Sequence, residues 1–216
     1  MQIMNIKKAA IYGDSISTTG YPCGGYGTLL GEKLGIETVY NHAIGASGLT
    51  EGTPNNLVQL LEDPHNLHED VELAILWHGT NDWYWGAPVG IPGTADMRNP
   101  KTYVGALTEA VTRIRAAAPR ARILAMTPLW RVETPDGCRE KAEAWNCPNK
   151  LGFTLRDYAH ALEEMSGILC FPVVDLRRLT NFNGRNTHIY QPDGVHPSDE
   201  GHRVIADILA GFLAAL

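Results

Sequence analysis

Four short polar segments of this sequence carry the residue types that acyl transfer needs. They are residues 13–15 (GDS), 41–48 (NHAIGASG), 79–82 (GTND) and 193–196 (DGVH). A serine hydroxyl is a weak nucleophile unless a neighbouring base accepts its proton, and histidine has a suitable pKa for that task. A carboxylate beside the histidine would fix the imidazole tautomer. Backbone N–H groups and an asparagine amide would stabilise the oxyanion that develops on the carbonyl oxygen.

The predicted strands place these segments together. Short apolar runs predict strands at residues 9–12, 37–41, 73–77, 122–126 and 168–174. Their continuous apolar character is typical of strands that are buried on both faces. Three of the polar segments directly follow strands and the fourth lies between the last strand and the last helix. We therefore expect them to converge on the carboxyl edge of a parallel sheet, where open α/β sheets bind ligands.

Amphipathic helices alternate with the predicted strands. Residues 102–117 place Val104, Leu107 and Val111 on one face, and Pro119 ends that helix. Residues 199–216 carry acidic side chains in the first turn and an apolar stripe that repeats about every four residues. This order predicts a three-layer α/β/α domain with a five-stranded parallel sheet and right-handed crossovers. Without an internal repeat or a linker, the chain is expected to form a single domain over residues 1–216.

Composition excludes several classes of protein. The 216 residues include 18 Lys+Arg and 24 Asp+Glu, which gives a formal net charge of −6. A net acidic chain without a basic block has no electrostatic footprint for nucleic acid. Its longest apolar runs are also too short for a membrane span. Residues 1–8 lack the apolar region of a signal peptide, so the sequence as it stands predicts a cytoplasmic protein.

The four cysteines are too few for a disulfide scaffold. Cys170 lies in an apolar run and is interpreted as a small core residue. Cys138 and Cys147 share the long loop at residues 128–150, so a local bridge between them stays open as an alternative to two thiols.

In this order, the four polar segments resemble the blocks of the SGNH (GDSL-type) hydrolases, and the resemblance covers essentially the whole chain. It implies a flavodoxin-like sheet, no metal and no cofactor, and hydrolysis of a small-molecule ester through an acyl-enzyme. It makes Ser15 the nucleophile, His196 the base and Asp193 the acid that orients the histidine. Ile16 stands where the GDSL pattern has leucine, a conservative change that we expect to be neutral.

The same resemblance implies an oxyanion hole made of three donors. These are the Ser15 N–H, a backbone N–H of the second segment and the side-chain amide of Asn81. The second segment leaves its donor open between Gly45 and Ala46, since any residue can supply a backbone N–H. Asp14 and Asp82 are expected to hold their turns together rather than to act as catalytic acids.

Aromatic residues beside these segments have two interpretations. Trp83, Tyr84 and Trp85 follow Asn81 in a loop rich in glycine and proline, and Trp130 follows the fourth predicted strand. They can line an acyl or sugar pocket, or they can be buried to anchor a long loop. The ligand-like pair His65 and His68, in a polar stretch, is interpreted as a solvated surface rather than a zinc site.

The sequence thus favours a serine ester hydrolase for small acyl groups, acetyl above all, with a carbohydrate O-deacetylase as the leading substrate hypothesis. A thioesterase or lysophospholipase of the same family is one alternative. A flavodoxin-like module that binds a small ligand without turnover is another, but it would not need Ser15, Asp193 and His196 together.

Overall fold

The computed structural model describes residues 6–216, and its centre is a five-stranded parallel sheet in the order β2-β1-β3-β4-β7. Two further strands, β5 and β6, form a separate antiparallel pair. The strands in chain order are β1 (Lys8–Gly13), β2 (Thr38–Asn41), β3 (Leu73–Trp77), β4 (Arg122–Met126), β5 (Val132–Glu133), β6 (Ala142–Glu143) and β7 (Val173–Val174).

Helices cover both faces of this sheet. They are α1 (Gly25–Leu34), α2 (Leu57–Leu60), α3 (Thr80–Trp85), α4 (Tyr103–Ala117), α5 (Leu155–Leu169), α6 (Leu176–Leu179), α7 (Thr187–Tyr190) and α8 (Asp199–Ala215). Single turns of 3-10 helix occur at Ser15–Ser17, Pro64–Asn66 and Ala95–Arg98. None of the helices described has both the length and the apolar character that crossing a membrane requires.

The buried positions of the central strands are apolar on both sides because each face of the sheet has its own core. Along β1, Ala10 and Tyr12 pack with the side chains of α4 and α5, whereas Ala9 and Ile11 pack with those of α1 and α8. Successive side chains of a strand point to opposite faces, so a strand between two helical layers needs apolar residues at every position. The expected three-layer α/β/α architecture with a five-stranded parallel sheet is confirmed.

The register of the sheet brings the ends of the central strands level. Ile11 of β1 pairs with Asn41 of β2, and Gly13 pairs with Trp77 of β3. The chain therefore leaves β1, β2 and β3 at the same edge. This common exit gathers the segments after residues 13, 41 and 77 into one crevice.

The fifth predicted strand was too long. Only Val173–Val174 pair with β4, whereas the first part of the predicted run ends helix α5. Cys170 adopts the left-handed conformation (φ 54°) at the C-terminus of that helix and is exposed, so its interpretation as a core residue was wrong. A short apolar run does not distinguish the end of a helix from a strand, which explains the error.

One predicted helix and the state of two cysteines complete the comparison of the sequence with the fold. The predicted helix at residues 102–117 is α4, and Thr102 caps it by accepting a hydrogen bond from the Gly105 N–H (3.1 Å). Cys138 and Cys147 are free thiols in this structure, so the bridge between them that the sequence left open is not formed.

Candidate active site

Ser15 lies directly beyond the carboxyl end of the central strand β1. Asp14 begins a single 3-10 turn and accepts a hydrogen bond from the Ile16 N–H (3.0 Å). The Tyr21 hydroxyl donates to the Ser15 carbonyl oxygen (2.9 Å) from the other side. A β-carbon at Gly13 would overlap the Ser17 side chain, so this tight exit from the strand requires glycine. The turn holds the Ser15 side chain at the edge where the strands end.

Asp193 and His196 form a compact unit just before α8. One carboxylate oxygen of Asp193 accepts hydrogen bonds from the backbone N–H groups of Val195 (2.8 Å) and His196 (2.7 Å). The other oxygen lies 2.7 Å from His196 Nδ1. Gly194 allows the turn through its left-handed conformation (φ 84°). The ring is thereby oriented with Nε2 2.9 Å from Ser15 Oγ, which completes a chain of hydrogen bonds from Asp193 to Ser15.

Opposing effects set the charge state of the two aspartates near Ser15. Partial burial acts to raise the pKa of Asp193, but the hydrogen bonds from His196 and Val195 outweigh it and hold that pKa below its ordinary value. Full burial raises the pKa of Asp14 to about 6, against the opposing effects of the Ile16 N–H and Arg131. The Asp193 carboxylate is therefore ionised beside the histidine at neutral pH, and Asp14, with the higher pKa, is the aspartate that gains a proton first as the pH falls.

An open cavity of about 310 Å³ gives access to Ser15 and His196. It combines polar groups from the ends of several strands with aromatic rings. The lining residues are Ser15, Ile16, Ala46, Thr80, Asn81, Tyr84, Trp85, Arg131, Glu133, Val195 and His196. A hollow of similar size, about 330 Å³, lies beside Asn55 and Gln59, and neither serine nor histidine lines it.

Hydrogen-bond donors face this cavity near Ser15. Asn81 donates one amide hydrogen to the Ser47 carbonyl oxygen (3.0 Å), which leaves its second Nδ2 hydrogen available. Within residues 6–216, the N–H groups of Ser15, Gly45 and Ala46 donate no hydrogen bond. Ala46 borders the cavity in a left-handed conformation (φ 61°), whereas Gly45 does not border it. This arrangement can hold an oxyanion with up to three donors.

A second serine–histidine pair lies behind the cavity wall. Ser47 Oγ is 3.3 Å from His78 Nε2, and both side chains are buried. Burial lowers the pKa of His78 to about 3, and among the described residues its Nδ1 has no hydrogen-bond partner. The nearby Asp82 carboxylate instead accepts from the N–H groups of Leu49 and Thr50. Among the described residues no carboxylate orients the ring of this pair, and burial lowers the pKa of His78, so His78 is a weak base and the pair is poorly suited to activating a serine.

Comparison with known proteins identifies the family. The model of the GDSL-like lipase/acylhydrolase family matches residues 11–204, which include all four polar segments. The chain belongs to this family. A carboxylic ester hydrolase of the GDSL type, as the sequence predicted, is thereby confirmed at the level of the family. No curated protein sequence matches the chain.

Solved structures share the fold along nearly the whole chain. A protein from Lactobacillus plantarum is 24% identical with a TM-score of 0.82, over 97% of each chain. A possible lipase from Chitinophaga pinensis is 24% identical with a TM-score of 0.72, over 95% of this chain and 96% of its own. The aryl esterase of M. smegmatis is 18% identical with a TM-score of 0.67, over 97% of this chain and 99% of its own. At these identities the likeness is one of fold.

The GDSL-family chain places its aromatic residues in different environments. Tyr84 and Trp85 border the cavity. Trp83 is fully buried, and its indole N–H donates to the Cys147 carbonyl oxygen (2.9 Å), so it anchors a loop instead. Trp130 packs against the apolar cluster between the sheet and α8 and does not border the cavity. Residues 83–85 lie in helix α3 and not in a loop as the sequence predicted. Tyr84 and Trp85 are placed where they could line a pocket, whereas Trp83 and Trp130 pack away from the cavity.

Two charged residues of the cavity were missed by the sequence analysis. Arg131 and Glu133 follow β4 and reach the cavity from the segment that contains β5. The fourth strand ends at the same edge of the sheet as the other strands. The position of Arg131 shortly after that strand could therefore have predicted that it lies near the site. Asp14 and Asp82 hold turns through backbone hydrogen bonds, as expected.

Proposed function

We propose that this member of the GDSL-like lipase/acylhydrolase family is a serine esterase that cleaves small acyl esters, acetyl esters above all. Ser15 is the nucleophile, His196 the general base and Asp193 the acid that orients it. The observation that carries the proposal is the unbroken chain of contacts from Asp193 through His196 to Ser15, at 2.7 and 2.9 Å, at the wall of an open cavity.

The chemistry follows from these positions. Ser15 Oγ attacks the ester carbonyl carbon while His196 Nε2 takes the hydroxyl proton, and the resulting imidazolium is stabilised by the Asp193 carboxylate. His196 then gives this proton to the departing alcohol, which leaves an acyl group on Ser15. A water molecule loses a proton to Nε2, attacks the acyl carbon and releases the acid, and the proton returns to Ser15.

The oxyanion in both tetrahedral intermediates is held by the Ser15 N–H, the Ala46 N–H and Asn81 Nδ2. Ala46 is chosen over Gly45 because only Ala46 borders the cavity. Loss of one such donor typically costs about 10²–10³ in kcat. The Ala46 carbonyl oxygen accepts a hydrogen bond from the Trp85 indole N–H (3.2 Å), which supports this turn from the cavity side.

The cavity wall favours a polar alcohol as the leaving group. Tyr84 and Trp85 present aromatic rings, with centroids 4.9 Å apart at 90°, and Glu133 supplies a carboxylate beside them. Aromatic faces combined with polar groups suit the alternating apolar faces and hydroxyl edges of a sugar ring. An O-acetylated carbohydrate is therefore the substrate class that we propose.

Active-site labelling tests the mechanism. The wild type, Ser15→Ala and His196→Ala are treated with a fluorophosphonate probe, and hydrolysis of p-nitrophenyl acetate is followed in parallel. Ser47→Ala is the matched control, because Ser47 belongs to the buried second serine–histidine pair. We expect labelling and turnover in the wild type and in Ser47→Ala, and neither in the other two variants. Labelling that persists in Ser15→Ala and disappears in Ser47→Ala would overturn the assignment.

The substrate class is tested separately. p-Nitrophenyl acetate, butyrate and octanoate are compared with acetylated xylo-oligosaccharides in the wild type and in Tyr84→Ala. We expect kcat/KM to fall along the acyl series. Tyr84→Ala should raise KM for the acetylated sugar by about tenfold, the value of one good aromatic contact, and leave KM for p-nitrophenyl acetate within about twofold. Equal effects on both substrates would remove the carbohydrate from the proposal.

A further inference from the structure

A buried arginine lies directly against the cavity. Arg131 is only 5% exposed to solvent. Its Nη1 donates to the Thr80 carbonyl oxygen (3.1 Å), to Thr80 Oγ1 (2.9 Å) and to Asn81 Oδ1 (3.2 Å). The guanidinium thus forms hydrogen bonds with two consecutive residues at the start of α3. One of them is the asparagine that faces the oxyanion.

Carboxylates compensate the charge of this arginine only through space: those of Asp14, Glu133 and Asp193 favour its charged form, but none of them is hydrogen-bonded to it among the described residues. The closest carboxylate is that of Glu133, 3.9 Å from Nη2, beyond hydrogen-bond distance. Among the described residues, Arg131 Nε has no hydrogen-bond partner. The guanidinium carbon lies 5.5 and 5.2 Å from the ring centroids of Trp83 and Tyr84, which offsets part of the desolvation cost. A buried cation whose direct acceptors are neutral costs stability, so its position calls for a role other than stability.

The contacts of Asn81 supply that role. Its Oδ1 accepts from Arg131 (3.2 Å), and its Nδ2 donates to the Ser47 carbonyl oxygen (3.0 Å). A flipped amide would place its NH₂ group against the guanidinium and its oxygen against the Ser47 carbonyl oxygen. Both contacts would then be repulsive. Arg131 therefore opposes the flip, together with the Ser47 carbonyl oxygen, and keeps the NH₂ end of the amide towards the cavity.

We propose that Arg131 is a positioning residue for the oxyanion hole: it locks the Asn81 amide in the orientation that donates an N–H to the oxyanion. This inference rests on the proposed function, in which Asn81 is one of the three donors. Arg131 acts through Asn81, and its effect belongs to the transition state, where the oxyanion carries its charge.

A split between kcat and KM gives the first test, with p-nitrophenyl acetate as the substrate. Arg131→Met removes the charge and the donors but keeps an unbranched side chain. We expect it to lower kcat by about tenfold or more and to change KM by less than about threefold, as for an interaction made in the transition state. Arg131→Lys should lie between this variant and the wild type, because an ammonium group keeps the charge but lacks the planar fork. A wild-type kcat in Arg131→Met overturns the inference.

A double-mutant cycle gives the second test. Asn81→Ala alone should lower kcat by about 10²–10³, the usual effect of removing one oxyanion donor. If Arg131 acts through Asn81, adding Arg131→Met to that variant should lower kcat by less than about twofold further. If Arg131→Met lowered kcat by the same factor in the wild type and in Asn81→Ala, Arg131 would have a general structural role, and the inference would be overturned. If Arg131→Met does not fold, as judged by circular dichroism, Arg131→Lys carries the same cycle.

Arg177→Met is the matched control. Arg177 also stacks on a tryptophan, with its guanidinium carbon 4.1 Å from the Trp145 ring, and it bonds to Glu143 (3.0 Å) of strand β6. Its hydrogen bonds do not involve Thr80 or Asn81, so kcat should stay at the wild-type value. Ser15→Ala separates the two proposals. Turnover that persists in Ser15→Ala refutes the proposed mechanism, whereas inactive Ser15→Ala with fully active Arg131→Met refutes only the role of Arg131.

Discussion

Replacing Asp193 with asparagine removes one negative charge and one acceptor without changing the shape of the side chain. The carboxylate makes three short contacts: two with the backbone N–H groups of Val195 (2.8 Å) and His196 (2.7 Å), and one with His196 Nδ1 (2.7 Å). Asparagine has a single acceptor atom. It must therefore offer its oxygen either to the two backbone N–H groups or to the ring.

The contacts determine which orientation wins. The backbone offers two hydrogen bonds to the amide oxygen and the ring offers one. In the orientation that keeps both backbone bonds, the amide NH₂ also donates to Nδ1, so three hydrogen bonds compete with one. This difference of two bonds, at about 1 kcal/mol net each, favours the backbone orientation by about 2 kcal/mol, or about thirtyfold. The amide NH₂ then faces Nδ1, which becomes an acceptor, so the proton lies on Nε2. A ring in that tautomer donates to Ser15 Oγ and cannot take its proton.

The expected loss combines two factors. About one molecule in thirty would keep the productive tautomer, given that 2 kcal/mol preference. The imidazolium also loses a charged hydrogen-bond partner, which typically costs another 1.5–3 kcal/mol, or about 10–100-fold. We therefore expect Asp193→Asn to lower kcat for p-nitrophenyl acetate by about 10³, with little change in KM.

Steady-state kinetics and ¹⁵N NMR of the histidine ring check this prediction together. The spectrum of Asp193→Asn at neutral pH should show His196 with its proton on Nε2. Asp199→Asn is the control, because the Asp199 carboxylate accepts from the Cys23 N–H (3.2 Å) and makes no hydrogen bond to His196. A kcat within tenfold of the wild type, or a ring that keeps its proton on Nδ1, would refute the reasoning.

Three further predictions concern stability and are checked by urea denaturation. The pKa of Asp14 is raised by burial from 3.8 to about 6, so its ionisation costs folding energy above pH 6, and this cost disappears as the pH falls towards 4. Asp14→Asn should raise the free energy of unfolding by about 3 kcal/mol at pH 8 and by little at pH 4; an equal gain at both values would contradict this. Asp82→Ala leaves the buried N–H groups of Leu49 and Thr50 without their acceptor. It should therefore lower the free energy of unfolding by about 3 kcal/mol. A loss below about 1 kcal/mol would show that water replaces the carboxylate. Gly105→Ala should cost about 2 kcal/mol or more with kcat unchanged, because its β-carbon would lie 2.6 Å from the Asp96 carbonyl oxygen; wild-type stability would show that this backbone contact can relax.

Much of the fold was predictable because the signals for it are local. Strands β3 and β4 have the predicted bounds, since a continuous run of four or five apolar residues between polar ones is a strong signal for a strand buried on both faces. The run at residues 168–174 was misread. It begins in the last turn of α5, whose start is marked by the hydrogen bond from the Thr154 N–H to Asp157 (2.6 Å), a capping signal that the sequence analysis did not use.

The chemical identity of the candidate site was also largely present in the sequence. Asp193 and His196 are three positions apart, so their contact follows from one tight turn and little else. The placement of Ser15 beside them follows from topology: parallel strands end at one edge of the sheet, and the last helix begins there. Residue type, spacing and the rule that ligand sites lie beyond the carboxyl ends of the strands were together enough to predict that these groups lie close to one another.

Tertiary structure alone decided which neighbours of these groups share the cavity. Trp83 and Tyr84 are adjacent in sequence, but the turn of helix α3 buries the first and exposes the second to the cavity. Arg131 reaches Asn81 across 50 positions of the chain, and the bond exists only because β4 ends at the same edge as β3. Sequence patterns report the local backbone and its periodic burial. The direction of a single side chain depends on packing between distant segments, and that packing completes the site.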